Sequence, residues 1–229
     1  MAMSLIGGMP SNLVSESFFS KLNLISSIIG KNVDIKYQEI EGKIKKIKKD
    51  IEEAQRSFDE IMRNFNFHYR AFINRIEGEL NNAHIQSKLP QYLSKLGNIV
   101  TYITNHGIHS INEVEEKEKE IKKLKEEIKK EINSKGKNLQ RLLWIVDQYD
   151  NIFQNLIGKE LRSKVLNKMI AIKKELDNLE KEIKNIDVKN NDKLKKEIEK
   201  KINELKKELE KSNKSLEKFI KYLSHILKV

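Results

Sequence analysis

A seam of apolar residues in steps of four and three constrains the fold of this chain more than any other feature. It runs unbroken from Val33 to Phe72, with polar and charged residues, lysine and glutamate above all, at most positions between. A repeat of 3.5 residues is typical of a helix that buries one narrow stripe against partner helices. After Phe72 the step becomes four and four, to Ile76 and Leu80, which relaxes the supercoil. The sequence therefore predicts one helix over about 33–84, with seam positions Val33, Tyr37, Ile40, Ile44, Ile47, Ile51, Ala54, Phe58, Ile61, Phe65, His68 and Phe72.

Residues that form turns are rare. The 229 residues include 9 Gly and 2 Pro, whereas β proteins need both for their many turns. Few turns over this length mean long helices. The fold class predicted is all-α: an elongated antiparallel helical bundle or coiled coil with long helices and a C-terminal helical hairpin.

Three segments, which together form one domain, follow from the breaks between apolar stripes. Residues 1–30 are predicted to be a flexible start and a short amphipathic helix that Gly30 ends. Residues 31–186 are predicted to form the long-helix bundle, with helices at about 33–84, 90–104 and 111–186. Residues 187–229 are predicted to be a basic helix that packs back on 150–186. Short loops join antiparallel neighbours, so these last two helices should form a hairpin.

Local sequence features bear on where the helix at 111 begins and on whether it is interrupted. Ser110 and Glu113 have the spacing of a capping box. Gly136 and Gly158 each cost a helix about 1 kcal/mol relative to Ala, which the flanking periodicity can override. A single helix, straight or kinked, is therefore favoured over three short ones, although the sequence leaves its continuity at both glycines open.

The two longest predicted helices are expected to pair so that their aromatic residues lie side by side. If helix 33–84 runs antiparallel to helix 111–186, then Phe58, Phe65 and Phe72 lie beside Trp144, Tyr149 and Phe153. Residues 33–65, 150–186 and 193–228 would then form a three-helix bundle.

The motifs of common enzymes are missing from the sequence. There is no Cys, no Gly-x-Ser-x-Gly turn and no phosphate-binding loop. Many carboxylates lie opposite lysines or four residues before one, as Glu126 does before Lys130, which is typical of exposed helix surface. We expect no enzymatic activity, no cofactor and no small-molecule substrate.

The histidines offer one weak metal site. His106 and His109, with Glu113, lie in and just after one loop and could bring ligands together. The alternative is a polar corner between two helices, which is favoured. His68 falls on the seam, where a polar residue more often fixes register than binds a metal.

Positive charge is the feature with most functional content. The net charge is +11. Residues 31–84 carry 11 basic and 10 acidic residues, whereas 193–229 carry 12 basic and 6 acidic ones. The candidate contacts to phosphates or anionic lipid are Lys206, Lys207, Lys211 and Lys214. Interspersed glutamates and the lack of arginine in this segment weaken a nucleic-acid interpretation.

The N-terminal helix offers a second candidate surface. Its apolar arc includes Phe18 and Phe19, which could enter a membrane interface. An interfacial helix usually carries several Lys or Arg residues on its polar face, and here Lys21 stands alone. Packing onto the bundle or against a second copy is therefore favoured.

These observations rank three functions. The first is a non-enzymatic interaction or assembly protein, acting as scaffold, tether or adaptor through its helical surfaces, by binding a protein partner or itself. The second is a nucleic-acid-associated protein that uses the basic C-terminal helix. The third is a membrane-active helical protein of the toxin or effector kind. Because no run approaches the length of a membrane span and no signal peptide is apparent, a cytoplasmic location is expected.

Overall fold

Residues 13–32, 37–108, 111–135, 140–185 and 192–228 are described by a computed structural model. Every regular element in these ranges is a helix, which confirms the all-α prediction. A π-helical segment, Gln154–Leu166, joins α5 to α6 without a break. The helices are α1 (Glu16–Asn32), α2 (Tyr37–Asn82), α3 (Leu89–His106), α4 (Ile111–Lys135), α5 (Gln140–Phe153), α6 (Asn167–Lys184) and α7 (Asp192–Ser224).

Helix α2 runs antiparallel to α5, the π-helical segment and α6 along their whole length. At one end Lys43 forms an ion pair with Glu182. Near the middle Glu53 forms one with Lys168. At the other end the Arg141 Nε atom lies 3.1 Å from Glu79 Oε1. The pairing of the two long helices is therefore as the apolar stripes predict.

Helix α7 folds back on α6, as predicted for the C-terminal hairpin. Lys206 Nζ lies 2.6 Å from Asp177 Oδ1. Farther along, Gln154 of the π-helical segment donates to the Ser224 carbonyl oxygen. The turn is predicted at 187–192; residues 187–191 lie outside the described residues, and Asp192 begins α7.

Helix α1 adds a fourth helix where three were predicted. Its Lys21 Nζ atom lies 3.6 Å from Glu204 Oε2 of α7, and just before it the Leu13 N–H donates to Gln55 Oε1 of α2 at 3.3 Å. Phe18 and Ile25 are buried between these neighbours. One end of the molecule is thus a four-helix bundle of α1, the first half of α2, α6 and α7. Gly30 does not end α1, because the helix continues to Asn32 and the burial of its apolar face outweighs the small cost of an exposed glycine.

Five aromatic rings fill the other end. Phe65 and Phe153 lie 4.9 Å apart between centroids, and Phe72 and Tyr149 lie 5.2 Å apart. Tyr69 lies among them, 5.9 Å from Phe153. Two rings expected at this level are elsewhere: Phe58 packs 6.5 Å from Phe219, and Trp144 is largely exposed. The sequence prediction was therefore right for Phe65, Phe72, Tyr149 and Phe153 and wrong for Phe58 and Trp144.

Helices α3 and α4 complete this end. The Tyr69 hydroxyl donates to the Leu93 carbonyl oxygen of α3 at 2.6 Å, and α4 packs against α3 and α7. Gly107 ends α3 at φ 100°, and its N–H donates to the Ile103 carbonyl oxygen. Because only glycine adopts that φ without strain, the predicted break is confirmed here.

The single helix predicted over 111–186 is wrong between α4 and α5. Asn133 of α4 and Asp150 of α5 line the same cavity, of about 500 Å³. In one continuous helix they would be about 25 Å apart, so α4 and α5 are two separate helices. At Gly158 the prediction of a continuous helix is correct, since the π-helical segment passes through it.

The seam position assigned to His68 is occupied by Tyr69. Tyr69 is buried and His68 is half-buried at the edge of the seam. A straight helix repeats every 3.6 residues and drifts from a strict 3.5 repeat, so the buried stripe moves on by one residue. The larger apolar ring with a hydroxyl that reaches the Leu93 carbonyl then fits the position better.

Candidate interaction surface

The second half of α2 and all of α3 have an unusual polar composition. No Asp or Glu occurs from Ile61 to Ile76 or from Leu80 to Asn112. The first of these stretches contains three of the six arginines in the chain, at Arg63, Arg70 and Arg75. The lysines and glutamates that alternate elsewhere are replaced here by arginine, asparagine and aromatic residues.

An exposed ridge on α2 presents this composition to solvent. Arg63, Phe67, Arg70 and Asn74 follow one another at intervals of four, three and four, which places them on one side of the helix. That side is opposite the buried seam through Phe65, Tyr69 and Phe72. Phe67 is 70% exposed, more than any other large apolar side chain in the described residues.

The charges of the two arginines beside Phe67 are not neutralised by any acidic residue that the structure describes. Arg63 and Arg70 are both exposed, and neither forms an ion pair with a residue that the structure describes. Elsewhere on α2, Lys43, Lys45 and Lys46 pair with the glutamates at 182, 41 and 175. The guanidinium groups therefore project unneutralised positive charge on either side of an exposed ring.

Two shallow depressions adjoin the ridge and share Asn66 and Arg70. The first, of about 420 Å³, lies around Phe67. The second, of about 290 Å³, lies between α2 and α3. We call this region the Phe67 surface; it comprises Arg63, Asn66, Phe67, Arg70, Ala71, Asn74, Ile73, Ser94, Asn98 and Thr101.

The floor of the second depression is closely packed. Tyr69 lines it, and the ring of Tyr69 packs against Gly97 of α3, at which an added Cβ would lie 2.8 Å from Tyr69 Cε1. Burial raises the pKa of the Tyr69 phenol, so this group is neutral at physiological pH. The depression thus has a neutral floor and a positive rim at Arg70.

A second exposed ring borders this region on the α5 side. The Arg75 guanidinium lies over the ring of Trp144, 5.7 Å from its centroid. Arg75 comes four residues after Ala71 and so lies on the adjoining part of α2. Trp144 is 51% exposed. Arginine and aromatic side chains therefore continue from the Phe67 surface toward α5.

The four lysines predicted as contact residues on α7 are not equivalent. Lys206 is half-buried between Asp177 and Glu180 of α6, and its hydrogen bonds to them raise its pKa. Lys214 lies 3.6 Å from Glu210 on its own helix. Lys207 and Lys211 are exposed. Lys206 thus holds the hairpin together, and the other three point to solvent.

Phe18 and Phe19 are buried in the bundle. Their rings meet edge to face at 6.3 Å between centroids, and α1 contacts both α2 and α7. In this conformation neither ring is presented to a membrane or to a second copy. The packing that the sequence favoured for this helix is what the structure contains.

The candidate metal ligands divide between described and undescribed parts of the chain. His106 Nδ1 lies 2.9 Å from the Tyr102 carbonyl oxygen, and its ring stacks on Tyr102 at 3.8 Å. His109, Ser110 and the side chain of Glu113 lie outside the described residues. In the part that is described, no three His, Asp or Glu side chains are grouped to hold a metal ion.

Neither a membrane span in the described helices nor a similarity to a known protein indicates what this chain does. Among the described helices, none has a stretch that is both long and apolar enough to cross a bilayer. The chain matches no family model, no curated protein and no solved structure. The interpretation of its surfaces therefore depends on their own chemistry.

Proposed function

We propose that the protein is a non-enzymatic interaction protein, of the scaffold, tether or adaptor kind, that binds a protein partner through the Phe67 surface. The observation that carries this proposal is the 70% exposure of Phe67 between two arginines without a described ion-pair partner. Aromatic and arginine residues are enriched at protein interfaces, whereas Lys, Glu and Asp are depleted. The same residue types dominate the binding energy of such interfaces.

The charge of the surface selects the partner. Arg63 and Arg70 favour a segment that carries carboxylates on both sides of an apolar side chain, which can pack against Phe67. A second copy of the chain is a poor occupant, because in a two-fold dimer the surface meets itself. Four guanidinium groups would then be brought together within the stretch from Ile61 to Ile76, which contains no carboxylate. We therefore assign the surface to an acidic segment of a different protein.

Single-stranded nucleic acid is the second candidate. The same exposed ring beside two unpaired arginines favours it, because arginine and aromatic side chains also bind phosphates and stack on bases. The experiment must therefore distinguish a protein partner from a nucleic acid.

Photo-crosslinking in the producing cell provides that distinction. Phe67 is replaced by the photoreactive aromatic residue p-benzoylphenylalanine, and Ile170, an exposed apolar residue on α6, is replaced likewise as the control. We expect a crosslinked protein from position 67 that position 170 does not give. Adding Arg63→Gln and Arg70→Gln should abolish it.

Each other outcome has a definite meaning. A product that nuclease digests would replace the protein partner by nucleic acid. A product of twice the chain mass that contains only this protein would show self-association. Equal products from positions 67 and 170 would reject the Phe67 surface as an interface.

A further inference from the structure

The outer side of α7 carries a row of lysines. They recur at helical spacing, opposite the buried side chains of Ile202, Leu205 and Leu209. All but Lys218 are exposed, and Lys218 is half-buried. We call this row the lysine ridge; its members are Lys193, Lys196, Lys200, Lys207, Lys211, Lys214, Lys218 and Lys221.

Four of the acidic residues beside the ridge are neutralised within the bundle, whereas Glu197 and Glu217 of α7 stay exposed at its edges. On the α1 side, Lys21 Nζ lies 3.6 Å from Glu204 and 3.8 Å from Glu208, and the Ser15 hydroxyl donates to Glu208. On the α6 side, Lys206 pairs with Asp177 and Glu180. These carboxylates therefore contribute little to cancel the charge of the ridge.

Most of the ridge lysines are unpaired. Lys214 lies near Glu210, and Lys218 Nζ lies 2.7 Å from Glu115 of α4. The other six form no ion pair within the described part of the chain. Helix α6 alongside adds Lys174, Lys181 and Lys184 as exposed residues, whereas its carboxylates are only partly exposed. Positive charge on this side therefore extends over two helices.

The ridge and the Phe67 surface lie on different sides of the molecule. Helices α1 and α6 each contact both α2 and α7, and α2 and α7 meet across the centre of the bundle through Phe58 and Phe219. The two helices are therefore diagonal neighbours, and their outer ridges face away from each other. A ligand on one leaves the other accessible.

We propose that the lysine ridge docks the protein on an anionic bilayer surface by electrostatic attraction. From Lys193 to Lys221 the ridge follows one side of a single helix for about 42 Å. A row of this kind lies along a plane over most of its length. A nucleic-acid duplex curves away from it, and each strand returns to the same side only once per turn of about 34 Å. The planar ligand therefore engages more lysines at once.

The composition of the ridge fixes the mode of binding. It has no apolar or aromatic member that could enter the hydrocarbon region, and clusters of four to eight basic residues on a helix are typical of sites for acidic lipid headgroups. Binding should therefore be reversible and weakened by salt. This inference does not depend on the partner proposed for the Phe67 surface.

Cosedimentation of the full chain with vesicles tests the inference. Vesicles of phosphatidylcholine are compared with vesicles that also contain about 30% phosphatidylserine. We expect binding to the anionic vesicles alone, and a loss of at least tenfold in the partition constant when salt rises from about 0.1 M to 0.5 M. A ridge variant and a control variant remove the same charge, and Gln preserves helix propensity in both. The ridge variant is Lys200→Gln, Lys207→Gln, Lys211→Gln and Lys221→Gln; the control is Lys119→Gln, Lys123→Gln, Lys130→Gln and Lys159→Gln, all at exposed lysines.

The ridge variant should lose at least tenfold in partition, and the control less than threefold, with unchanged circular dichroism for both. Equal losses in the two variants would show that net charge acts without a specific surface, and the inference would be overturned. It would also be overturned if the protein bound duplex DNA through the ridge but failed to bind anionic vesicles.

Discussion

The two ends of the bundle differ in what they bury and in what they expose. The end formed by α1, the first half of α2, α6 and α7 buries mostly Ile and Leu and exposes lysine and glutamate. The end formed by the second half of α2 with α3 and α5 buries five aromatic rings and exposes arginine, asparagine and Phe67. Both ends satisfy the same helical periodicity. The comparison indicates that the buried pattern specifies the fold, whereas the exposed composition distinguishes the region suited to a partner.

The largest expected effect is at the centre of the aromatic end. Phe153 is fully buried and contacts Phe65, Tyr69, Phe72 and Tyr149. Phe153→Ala should lower the free energy of unfolding by about 3–5 kcal/mol, because it leaves a cavity among the rings. Urea denaturation measures this change.

The matched control is Trp144→Ala, which removes a larger but exposed ring. Its cost should stay below about 1 kcal/mol, the usual value of an exposed cation–π contact. Similar costs for the two variants would show that the ring cluster does not hold this end together.

The contact between α2 and α3 should be sensitive to a single methyl group. Gly97→Ala places a Cβ 2.8 Å from the Tyr69 ring, which the hydrogen bond to Leu93 holds in place. We expect a loss of about 1–3 kcal/mol in the free energy of unfolding from overpacking.

Gly78→Ala, also at the aromatic end, is the control because no atom lies within 4 Å of its added Cβ. That variant should gain about 0.5–1 kcal/mol from helix propensity. Thermal unfolding followed by circular dichroism compares the two; a stabilising Gly97→Ala would mean that α3 is free to move away from Tyr69.

The end formed by α1, the first half of α2, α6 and α7 should respond to pH through Glu175. Burial and the neighbouring carboxylate of Asp50 raise the pKa of Glu175 to about 7, against an opposing effect of Lys46. The folded state therefore holds a proton that the unfolded chain releases near pH 4.5. The stabilisation is complete below that pH and is lost as pH rises through 7.

Between pH 5 and 8 this group should reduce the free energy of unfolding by on the order of 1–2 kcal/mol, after allowance for its partial exposure. Glu175→Gln replaces the carboxyl group by an uncharged amide of the same shape. This variant should therefore lose the dependence of stability on pH that Glu175 causes. Urea titrations at both pH values give the comparison. If the variant and the parent lose equal stability, another group is responsible.

The smallest effect separates two adjacent lysines on α7. Lys206→Gln breaks the contacts to Asp177 and Glu180 and should cost about 0.5–1 kcal/mol of stability. Lys207→Gln, at an exposed position, should change stability by less than about 0.5 kcal/mol. The same urea titration measures both. Equal values would mean that Lys206 is solvated in solution and does not hold the hairpin.

The sequence predicts the helices and their buried faces well, because periodicity is a local property. The seam from Ile40 to Phe65 is buried at each position that it predicts. The antiparallel pairing of α2 with α5 and α6 also follows from the sequence, because the apolar stripes of these helices have similar lengths and their aromatic residues come to lie side by side.

The helices against which the shorter elements pack cannot be predicted from periodicity in the same way. The apolar face of α1 could have been covered by α2, α7 or a second copy, and periodicity does not distinguish these choices. The separation of α4 and α5 into two helices is likewise a tertiary feature, because the stripe continues across Gly136 with helical spacing.

The Phe67 surface was missed because charge was counted over the whole helix. Residues 31–84 have 11 basic and 10 acidic residues, a balance that conceals the acid-free stretch from Ile61 to Ile76. A shorter window, with attention to Arg63 and Arg70 seven residues apart around an aromatic residue off the seam, would have found it.

The position of α1 has a consequence for how the chain is made. Ser15 bonds to Glu208, 193 residues later, so the site that receives α1 is incomplete until α7 has been synthesised. Phe18, Phe19 and Leu22 leave the ribosome before α2, α6 and α7 but are the last to find their full cover. We expect α1 to dock late in folding, after the local α6–α7 hairpin, because closing so long a loop costs entropy before any contact repays it. During synthesis, the N-terminal helix is therefore the segment of this chain most in need of a chaperone.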